Sequence, residues 1–442
     1  MHIVSYRGPN QAGGVASLLQ RGQLHYPDSS WWYFQNTSLQ VVSSHSLSRV
    51  ANIPSEIIDG HYRYCNEFLW PLMHERPEFA QYLAHDHNCY RSLNIAVASH
   101  LNWNRDGKQS FINDYQFALL PSYLSEERAS RAIYFWHIVW PATFPEYSHT
   151  QIAELANSML NCQTIGFHTR EYVENFGNFV IKALPGYSVA ANGNTIIHPS
   201  GKQTQLVASP AGVDYLFWHQ AAREDNAPAP SVYPYILSVD RADYTKGILE
   251  RIEAIKMVFD SRPKLKGKIQ FVFVCQQTRN GLESFDQYWQ DCRAKCQELI
   301  AEMSTESWSP IVWITEPISH QVLASWYARA EALLVNSSRD GLNLTAKEFI
   351  ASTLDRHNML IISRGTGAWH ELKNNVVTIP ACRPKSIAKS ILKGLQMPMA
   401  MRRVHLNRLK QTVLFNSSQR WWHHLTGEMS AEDSKPEAMI SA

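Results

Sequence analysis

The sequence lacks the features of a disulfide-stapled, metal-binding or membrane-spanning protein. Its seven cysteines are odd in number and scattered along 442 residues, which favours a reducing compartment. Cys292 and Cys296 lie one helical turn apart, but a zinc half-site there would have no second half. No apolar run reaches the roughly 18 residues that cross a bilayer, and no opening segment joins a basic start to an apolar core. These absences predict a soluble cytoplasmic protein that needs no metal.

A dominant charge of one sign is also missing. Lys and Arg number 41 and Asp and Glu number 39, for a formal net charge of +2. This balance argues against nucleic acid or an anionic membrane as a partner, so any anion site must be local. The length favours two domains of about 200 residues each, and the composition leaves homo-oligomerisation open.

The first half of the chain alternates between strand-like and helix-like stretches. His2 to Ser5 reads as a strand, and a glycine-rich loop up to Gly14 leads into a helix that starts near Val15. Further apolar stretches of strand length are predicted at 93–98 and 131–137. This pattern predicts a sheet with helical crossovers.

The second half restarts the same pattern after a segment rich in proline and polar residues, 223–234, which places the domain boundary near residue 225. Strands are predicted at 235–239, 269–274, 311–314, 333–335 and 359–362, with an amphipathic helix at 248–259. We expect two Rossmann-like lobes with parallel, doubly covered sheets. Neither lobe has a G-x-G-x-x-G segment after its first strand, which argues against a dehydrogenase.

The loop after Val239 concentrates charge. Arg241 and Lys246 lie close to a predicted helix start, where backbone amides already favour an anion such as a diphosphate. The alternative is a solvated loop in which Asp240 and Asp243 simply pair with the two cations.

The loop after Val335 carries two carboxylates near a second helix start. Asp340 precedes Gly341 and can accept hydrogen bonds from sugar hydroxyls, and Glu348, two turns further on, can accept from both hydroxyls of a ribose. The alternative for Glu348 is an exposed charge on the helix surface.

Together these two loops, Ser238 to Gly247 and Arg339 to Glu348, resemble the two signature segments of the trehalose-6-phosphate synthase family. The likeness extends through Trp70-Pro-Leu, Asn113-Asp-Tyr, His137-Ile and Ile165-Gly-Phe-His-Thr, and it covers most of residues 1–425. It implies the GT-B fold, two Rossmann-like parallel-sheet lobes facing a central cleft. The implied domains are an acceptor lobe at 1–225, a donor lobe at 226–400, a helix crossing back at 401–425 and a disordered tail at 426–442.

The resemblance also implies roles for individual residues. Arg241 and Lys246 would hold the donor diphosphate, and His137 would contact the donor sugar. Asp114 would bind acceptor hydroxyls beside Trp70, and Arg7 and Arg279 would bind the acceptor phosphate. The remaining donor residues would be Gly14, Asp340, Gly341, Leu342, Asn343, Leu344 and Glu348.

The departures from the family pattern lie on the acceptor side. The position of the family's phosphate-binding tyrosine falls on His61, with Tyr62 and Tyr64 as neighbouring candidates. If His61 faces the phosphate, acceptor affinity should rise as pH falls through about 6.5. The segments 31–34 and 139–142 differ as well, so relatives that use glycerol phosphate or a cyclitol stay open alternatives.

The resemblance implies a retaining transfer of a hexosyl or cyclitol group from a nucleoside diphosphate donor, in which UDP, GDP or ADP could be the carrier. No metal or other cofactor is expected, because two cations can stabilise the leaving diphosphate. A catalytically silent sensor of sugar phosphates is the alternative from another class.

Overall fold

A computed structural model of the chain describes residues 1–9, 11, 14–23, 26, 28–43, 46–224, 227–354 and 357–427. The described chain forms two compact units. The first unit runs to Ala211 and includes the segment that starts at Ser418, and the second runs from Gly212 to Ser417. The domain limits predicted near residues 225 and 400 stay predictions. Residue 225 and the tail from 428 to 442 lie outside the described residues.

The first unit is built on a ten-stranded sheet with a parallel centre. Its strands are β1 (His2–Val4), β2 (Ser30–Gln35), β3 (Ser38–Ser43), β4 (Leu47–Asn52), β5 (Ser110–Asn113), β6 (Ile133–Trp136), β7 (Thr164–Phe167), β8 (Ser188–Val189), β9 (Thr195–Ile197) and β10 (Gln203–Ala208). The order is β4-β3-β2-β1-β5-β6-β7-β10-β9-β8. Neighbours from β2 to β10 pair in parallel, and both edges are antiparallel. Strand β6 is buried at every residue, as expected of a strand covered on both faces.

The helices of this unit are α1 (Gly14–Gln23), α2 (Ser55–Arg63), α3 (Trp70–Met73), α4 (Ala84–Trp103), α5 (Leu120–Tyr123), α6 (Glu126–Ala129), α7 (His149–Met159) and α8 (Arg170–Ala183). A π-helical turn, Tyr64–Leu69, joins α2 to α3. Short 3₁₀ turns lie at Pro77–Phe79, Tyr115–Phe117 and Glu146–Ser148.

The strand predicted at 93–98 is wrong, because these residues lie inside α4. Leu93, Val97 and Leu101 are fully buried, whereas Ile95 is 44% exposed, which is the spacing of one helix face. A short apolar run does not distinguish a strand from a buried helix segment. The strand predicted at 131–137 is confirmed as β6.

The second unit is a six-stranded parallel sheet. Its strands are β11 (Tyr235–Arg241), β12 (Gln270–Gln276), β13 (Ile311–Ile314), β14 (Ala332–Val335), β15 (Met359–Ser363) and β16 (Val377–Ile379), in the order β13-β12-β11-β14-β15-β16. Counted within the unit, this is the 3-2-1-4-5-6 order of a doubly wound sheet, whose topological switch point lies between β11 and β14.

The helices of the second unit are α9 (Tyr215–Glu224), α10 (Ile248–Ser261), α11 (Glu283–Met303), α12 (His320–Arg329), α13 (Leu344–Ser352), α14 (Trp369–Leu372), α15 (Pro384–Leu395) and α16 (Met399–Phe415). Short 3₁₀ turns lie at Tyr244–Lys246, Pro263–Leu265 and Lys373–Asn375. The predicted fold class, two Rossmann-like parallel-sheet units, is confirmed. None of the described helices has the length and apolarity needed to cross a bilayer.

The last described helix, α17 (Ser418–Thr426), belongs to the first unit. The Trp421 ring lies 4.9 Å from the Phe135 ring, and the Trp422 ring lies 4.8 Å from the Phe111 ring. Both tryptophans are almost completely buried. This helix therefore supplies part of the aromatic core under strands β5 and β6.

Candidate functional site

The loop after β11 places Lys246 at the end of a 3₁₀ turn directly before α10. The turn is fixed by Asp243, whose Oδ1 accepts hydrogen bonds from the Thr245 amide (3.0 Å) and hydroxyl (2.9 Å). Gly247 follows with a left-handed backbone, φ 65°, and a Cβ at this position would lie 2.5 Å from Cys382 Sγ. Both the conformation and the space require glycine here.

Lys246 and Asp340 join the loops that follow β11 and β14, the two strands at the switch point. Lys246 Nζ lies 2.5 Å from Asp340 Oδ2, and the side chains are only 11% and 12% exposed. The same carboxylate oxygen accepts hydrogen bonds from Ser337 Oγ (3.3 Å) and Asn343 Nδ2 (3.1 Å). Ligands of open α/β sheets bind beyond the carboxyl ends of the strands at such a point. The structure thus brings together two predicted donor residues from separate motifs.

The turn that follows Asp340 packs against a second turn after β15. Gly367 N donates to Asp340 O (3.0 Å), and a Cβ on Gly367 would lie 2.0 Å from Gly341 O. Gly341 and Leu342, both predicted donor residues, are buried by this packing. The sequence analysis missed Gly367; the available signal was a Gly-Thr-Gly segment directly after a predicted strand.

Glu348 lies on α13, which begins at Leu344. Asn343, with a left-handed backbone (φ 73°), caps the helix by accepting a hydrogen bond from the Ala346 amide (3.2 Å). Glu348 is half-buried, and burial raises the pKa of its carboxyl to about 7. Within the described part of the chain, its carboxylate has no hydrogen-bond or ion-pair partner. Such a group retains its full capacity to accept hydrogen bonds from ligand hydroxyls.

Arg251, on α10, is a buried cation of this site that the sequence analysis missed. Its side chain is 1% exposed, and its guanidinium donates to Ser238 Oγ (2.8 Å), Asp240 Oδ2 (2.6 Å) and Asn336 Oδ1 (2.5 Å). Burial raises the pKa of Asp240, an effect that the charges of Arg251 and Lys246 oppose. Arg251 therefore ties the ends of β11 and β14 together beneath the Lys246 loop.

The two arginines predicted to bind phosphate in this unit differ in their surroundings. Arg241 ends β11 and is exposed. Arg279 follows β12 with a left-handed backbone, φ 53°, and its Nη1 donates to Asp243 Oδ2 (2.6 Å). Its guanidinium also lies over the Phe285 ring at 4.7 Å. One edge of Arg279 is therefore occupied by Asp243, and its phosphate-binding role stays a prediction.

In the first unit, three predicted site residues follow three adjacent strands. Arg7 is exposed beyond β1, Asp114 follows β5 and His137 follows β6. Asp114 has an unusual positive φ of 70°, and its Oδ1 accepts from the His137 amide (3.1 Å). Gly14 is the exposed first residue of α1, and residues 12 and 13 before it lie outside the described chain.

His137 is a buried imidazole. Its Nε2 lies 3.0 Å from Asn113 Oδ1, and its ring lies 5.3 Å from that of His168. Burial, reinforced by the charge of His168, lowers the pKa of His137 well below 6.5. His168 follows β7 and accepts from the Ala211 amide (3.3 Å); the sequence analysis gave it no role, although its motif was recognised.

Two predicted acceptor residues on the adjoining helices are buried. His61 is 0% exposed, its Nε2 lies 3.0 Å from Gln116 O, and burial lowers its pKa to about 4. The titration predicted near 6.5 for His61 is therefore wrong, because desolvation disfavours the charged imidazole. Trp70, 6% exposed, begins α3 with its ring 4.0 Å from that of His74.

No group of three or more His, Cys, Asp or Glu side chains in the described residues is arranged to hold a metal ion. Cys292 and Cys296 are buried free thiols of α11. That the protein needs no metal stays a prediction.

Comparison with known proteins gives a family match over most of the chain. Residues 25–431 match the profile of Glycosyltransferase family 20. The chain is 28% identical over 396 residues to an alpha,alpha-trehalose-phosphate synthase [UDP-forming] of Schizosaccharomyces pombe, covering 85% of this chain and 75% of that protein. It is 26% identical to a glucosylglycerol-phosphate synthase of Pseudomonas anguilliseptica, covering 95% of this chain but only 59% of that protein. A UDP-forming trehalose-phosphate synthase from Burkholderia xenovorans, solved with glucose-6-phosphate, has the same fold, with a TM-score of 0.88 at 22% identity and coverage of 97% and 99%.

Proposed function

The chain belongs to glycosyltransferase family 20, and we propose that it transfers a hexosyl group, with retention, from a uridine diphosphate donor to a phosphorylated sugar. The observation that carries this proposal is the pairing of Lys246 with Asp340 at the switch point. On the next helix, the Glu348 carboxylate has no partner among the residues that the structure describes. The S. pombe relative is UDP-forming, and the B. xenovorans enzyme was solved with glucose-6-phosphate, so these are the first substrates to test.

On the donor side, Lys246 and Arg241 stabilise the charge that grows on the diphosphate as the glycosidic bond breaks. Removing one such donor typically costs about 3 kcal/mol of transition-state stabilisation. Asp340 accepts from hydroxyls of the donor sugar, and the turn through Gly341 to Leu344 lies against that sugar. Glu348 accepts from the ribose hydroxyls. Arg251 positions the Lys246 loop and does not itself touch the donor.

On the acceptor side, Arg7 and Arg279 bind the phosphate, and Asp114 accepts from a hydroxyl beside the Trp70 helix. Guanidinium groups suit this task because they form paired, charge-assisted hydrogen bonds with phosphate oxygens. His137 stays neutral at physiological pH, so it can hydrogen-bond the donor sugar without placing a positive charge beside a forming oxocarbenium ion.

The reaction proceeds on one face of the sugar. The bond from the anomeric carbon to the diphosphate oxygen breaks as the acceptor oxygen bonds to the same face, and the acceptor proton passes to the departing oxygen. The protein contributes positioning and charge stabilisation rather than a covalent nucleophile. We also propose that the two cations make a metal unnecessary, so turnover should survive excess EDTA; loss that magnesium restores would contradict this.

A second acceptor, glycerol 3-phosphate, is favoured by one set of observations. The sequence departs from trehalose-6-phosphate synthases on the acceptor side, at His61 and at residues 31–34 and 139–142. The P. anguilliseptica relative, which matches 95% of this chain, is a glucosylglycerol-phosphate synthase. The acceptor screen described next separates these two candidates.

The test is a screen of UDP-, GDP- and ADP-glucose against glucose 6-phosphate, glycerol 3-phosphate and an aminocyclitol phosphate, with release of nucleoside diphosphate as the readout. We expect one UDP-dependent combination to dominate and the product's anomeric proton to show a retained α configuration by NMR. Lys246→Ala should lower this signal on the order of 100-fold. Lys256→Ala, which changes a lysine of α10 whose side chain is 41% exposed, should not lower it. No turnover in any combination, together with tight sugar-phosphate binding by calorimetry, would instead identify a silent sensor.

A further inference from the structure

His61 is enclosed by a stack of aromatic rings. The His61 ring stacks with the Tyr6 ring at 5.5 Å with the planes 14° apart, and with the Tyr90 ring at 5.2 Å and 12°. Nε2 of His61 is used by Gln116 O at 3.0 Å. Because His61 is 0% exposed, stacks with two tyrosines and has Nε2 bonded to a backbone oxygen, its imidazole is not accessible to a ligand.

Tyr6 is the outer member of this stack and directly precedes Arg7. Its ring also lies 5.9 Å from that of Phe34, and its backbone oxygen accepts from the Phe34 amide (3.2 Å), which fixes the end of β1. The side chain is half-buried, and its hydroxyl has no hydrogen-bond partner among the described residues. Burial raises the pKa of the phenol, and the charge of Arg7 opposes that rise, so Tyr6 stays a protonated donor.

We propose that the Tyr6 hydroxyl, together with Arg7, donates to the phosphate of the acceptor and sets the specificity for phosphate monoesters. This inference rests on the proposed function and assigns the recognition of its acceptor. The family places a phosphate-binding tyrosine where this chain has His61, and the Tyr6 ring lies directly against that imidazole. The loop after β1 therefore supplies a phenol whose ring lies next to residue 61.

The test compares Tyr6→Phe with the wild-type enzyme, using glucose 6-phosphate and glycerol 3-phosphate beside glucose and glycerol. Tyr6→Phe should raise KM for the phosphorylated acceptor on the order of 10- to 100-fold, as expected for a lost hydrogen bond to a charged group. The donor KM, kcat and the low activity with unphosphorylated acceptors should stay close to wild type. Tyr147→Phe, a phenol that is 58% exposed in the same unit, is the matched control and should change nothing.

Two further variants sharpen the assignment. His61→Phe keeps an aromatic ring between Tyr6 and Tyr90, so its acceptor KM should stay within about threefold of wild type. Tyr62→Phe tests the adjacent phenol on α2. Calorimetric affinity for UDP and the melting temperature show whether each variant is folded. We expect Tyr6→Phe to be folded, because the hydroxyl that it removes bonds to none of the described residues.

An acceptor KM for Tyr6→Phe within twofold of wild type would overturn the assignment. The assignment would also fail if only Tyr62→Phe raised the acceptor KM, or if Tyr6→Phe raised the KM equally for phosphorylated and unphosphorylated acceptors. These outcomes leave the proposed function standing if the wild-type enzyme still prefers phosphorylated acceptors. A wild-type enzyme without that preference would refute the proposed function and this inference together.

Discussion

Burial of the Glu348 carboxylate lowers the stability of the protein at high pH. The same carboxylate has no partner among the described residues, so it can accept hydrogen bonds from a ligand. Its pKa of about 7 lies above the ordinary value of 4.5, so between these values the folded protein holds a proton that the unfolded chain releases. Stability therefore falls as pH rises from about 4.5 to 7, and the full penalty is present above pH 7. Glu348→Gln should raise the melting temperature at pH 8 and change it little at pH 4.5, as measured by calorimetry. An equal shift at both pH values would contradict the assigned burial.

The same substitution, Glu348→Gln, should weaken the binding of the donor nucleotide. A neutral amide accepts hydrogen bonds from ribose hydroxyls less strongly than a carboxylate, which corresponds to a loss of about 1.5–3 kcal/mol in UDP affinity. The acceptor KM should not change, because the proposed partners are on the donor. Calorimetry with UDP at pH 8 decides the matter, and unchanged affinity would reject the ribose role.

Lys246→Ala and Arg241→Ala should each lower kcat/KM on the order of 100-fold, because charge on the diphosphate increases toward the transition state. Thermal stability should change less for Arg241→Ala, since that side chain is exposed and Lys246 is paired with Asp340. Steady-state kinetics with the best donor test both variants. Near wild-type turnover in both would mean that the diphosphate lies elsewhere.

At this scale the sequence singled out Lys246 and Asp340 as candidate donor residues, but it did not reveal all of their neighbours. Lys246 and Asp340 were recognisable because each stands in a distinctive local segment. Their mutual contact was not, since it depends on which strands are adjacent in the sheet. The environment of His61 was mispredicted because sequence position does not reveal whether a polar ring points into a core or toward solvent.

Among the structural elements, the connection from β11 to α10 leaves no room for a side chain at Gly247. Gly247→Ala places a methyl group 2.5 Å from Cys382 Sγ and 2.7 Å from Asn336 Nδ2. Gly267→Ala is a matched control, because its φ of 70° is similar and nothing lies within 4 Å of its Cβ. Both variants should lose stability from the strained backbone, roughly 1 kcal/mol, and only Gly247→Ala should also weaken UDP binding. Equal effects of the two variants on UDP affinity would show that the close packing is unimportant.

The ends of β11 and β14 are held by Arg251, so its removal should weaken the whole second unit. Arg251→Met leaves Asp240 buried without its cation and should cost about 3–5 kcal/mol. Arg251→Met combined with Asp240→Asn should cost less than Arg251→Met alone, because no uncompensated charge is left. Urea unfolding of Arg251→Met, Asp240→Asn and the double variant provides the comparison. A double variant as unstable as the sum of the single variants would show that the pair is not coupled.

Strand positions in the second unit were well predicted, because parallel strands covered on both faces are short continuous apolar runs between polar loops. The first unit was harder. The two strands at each end of its sheet, β4 and β3 at one end and β9 and β8 at the other, are short or half-exposed. The helix α4 contains an apolar run that resembles a strand. Over only six residues, the apolar pattern of a partly buried helix is similar to that of a fully buried strand.

At the scale of the whole molecule, α17 links the late part of the chain to the core of the first unit. Trp422 is completely buried against Phe111, so Trp422→Ala should destabilise this unit by about 3–5 kcal/mol. Trp103→Ala, which truncates a tryptophan that is 88% exposed on the same unit, should have little effect. Differential scanning calorimetry should show a lowered transition for Trp422→Ala alone. UDP affinity well below that transition should be retained, because the nucleotide residues are on the second unit.

The position of α17 also determines the order in which the protein can be completed on the ribosome. The strands that carry Phe111 and Phe135 emerge early, but the helix that covers them is translated only after residues 212–417. Translation adds about 5–20 residues per second, so the aromatic surface of the nascent first unit lacks its covering helix for roughly 10–40 s. Chaperone capture during that interval, and translation speed through the second unit, therefore influence how much of the chain reaches its native state.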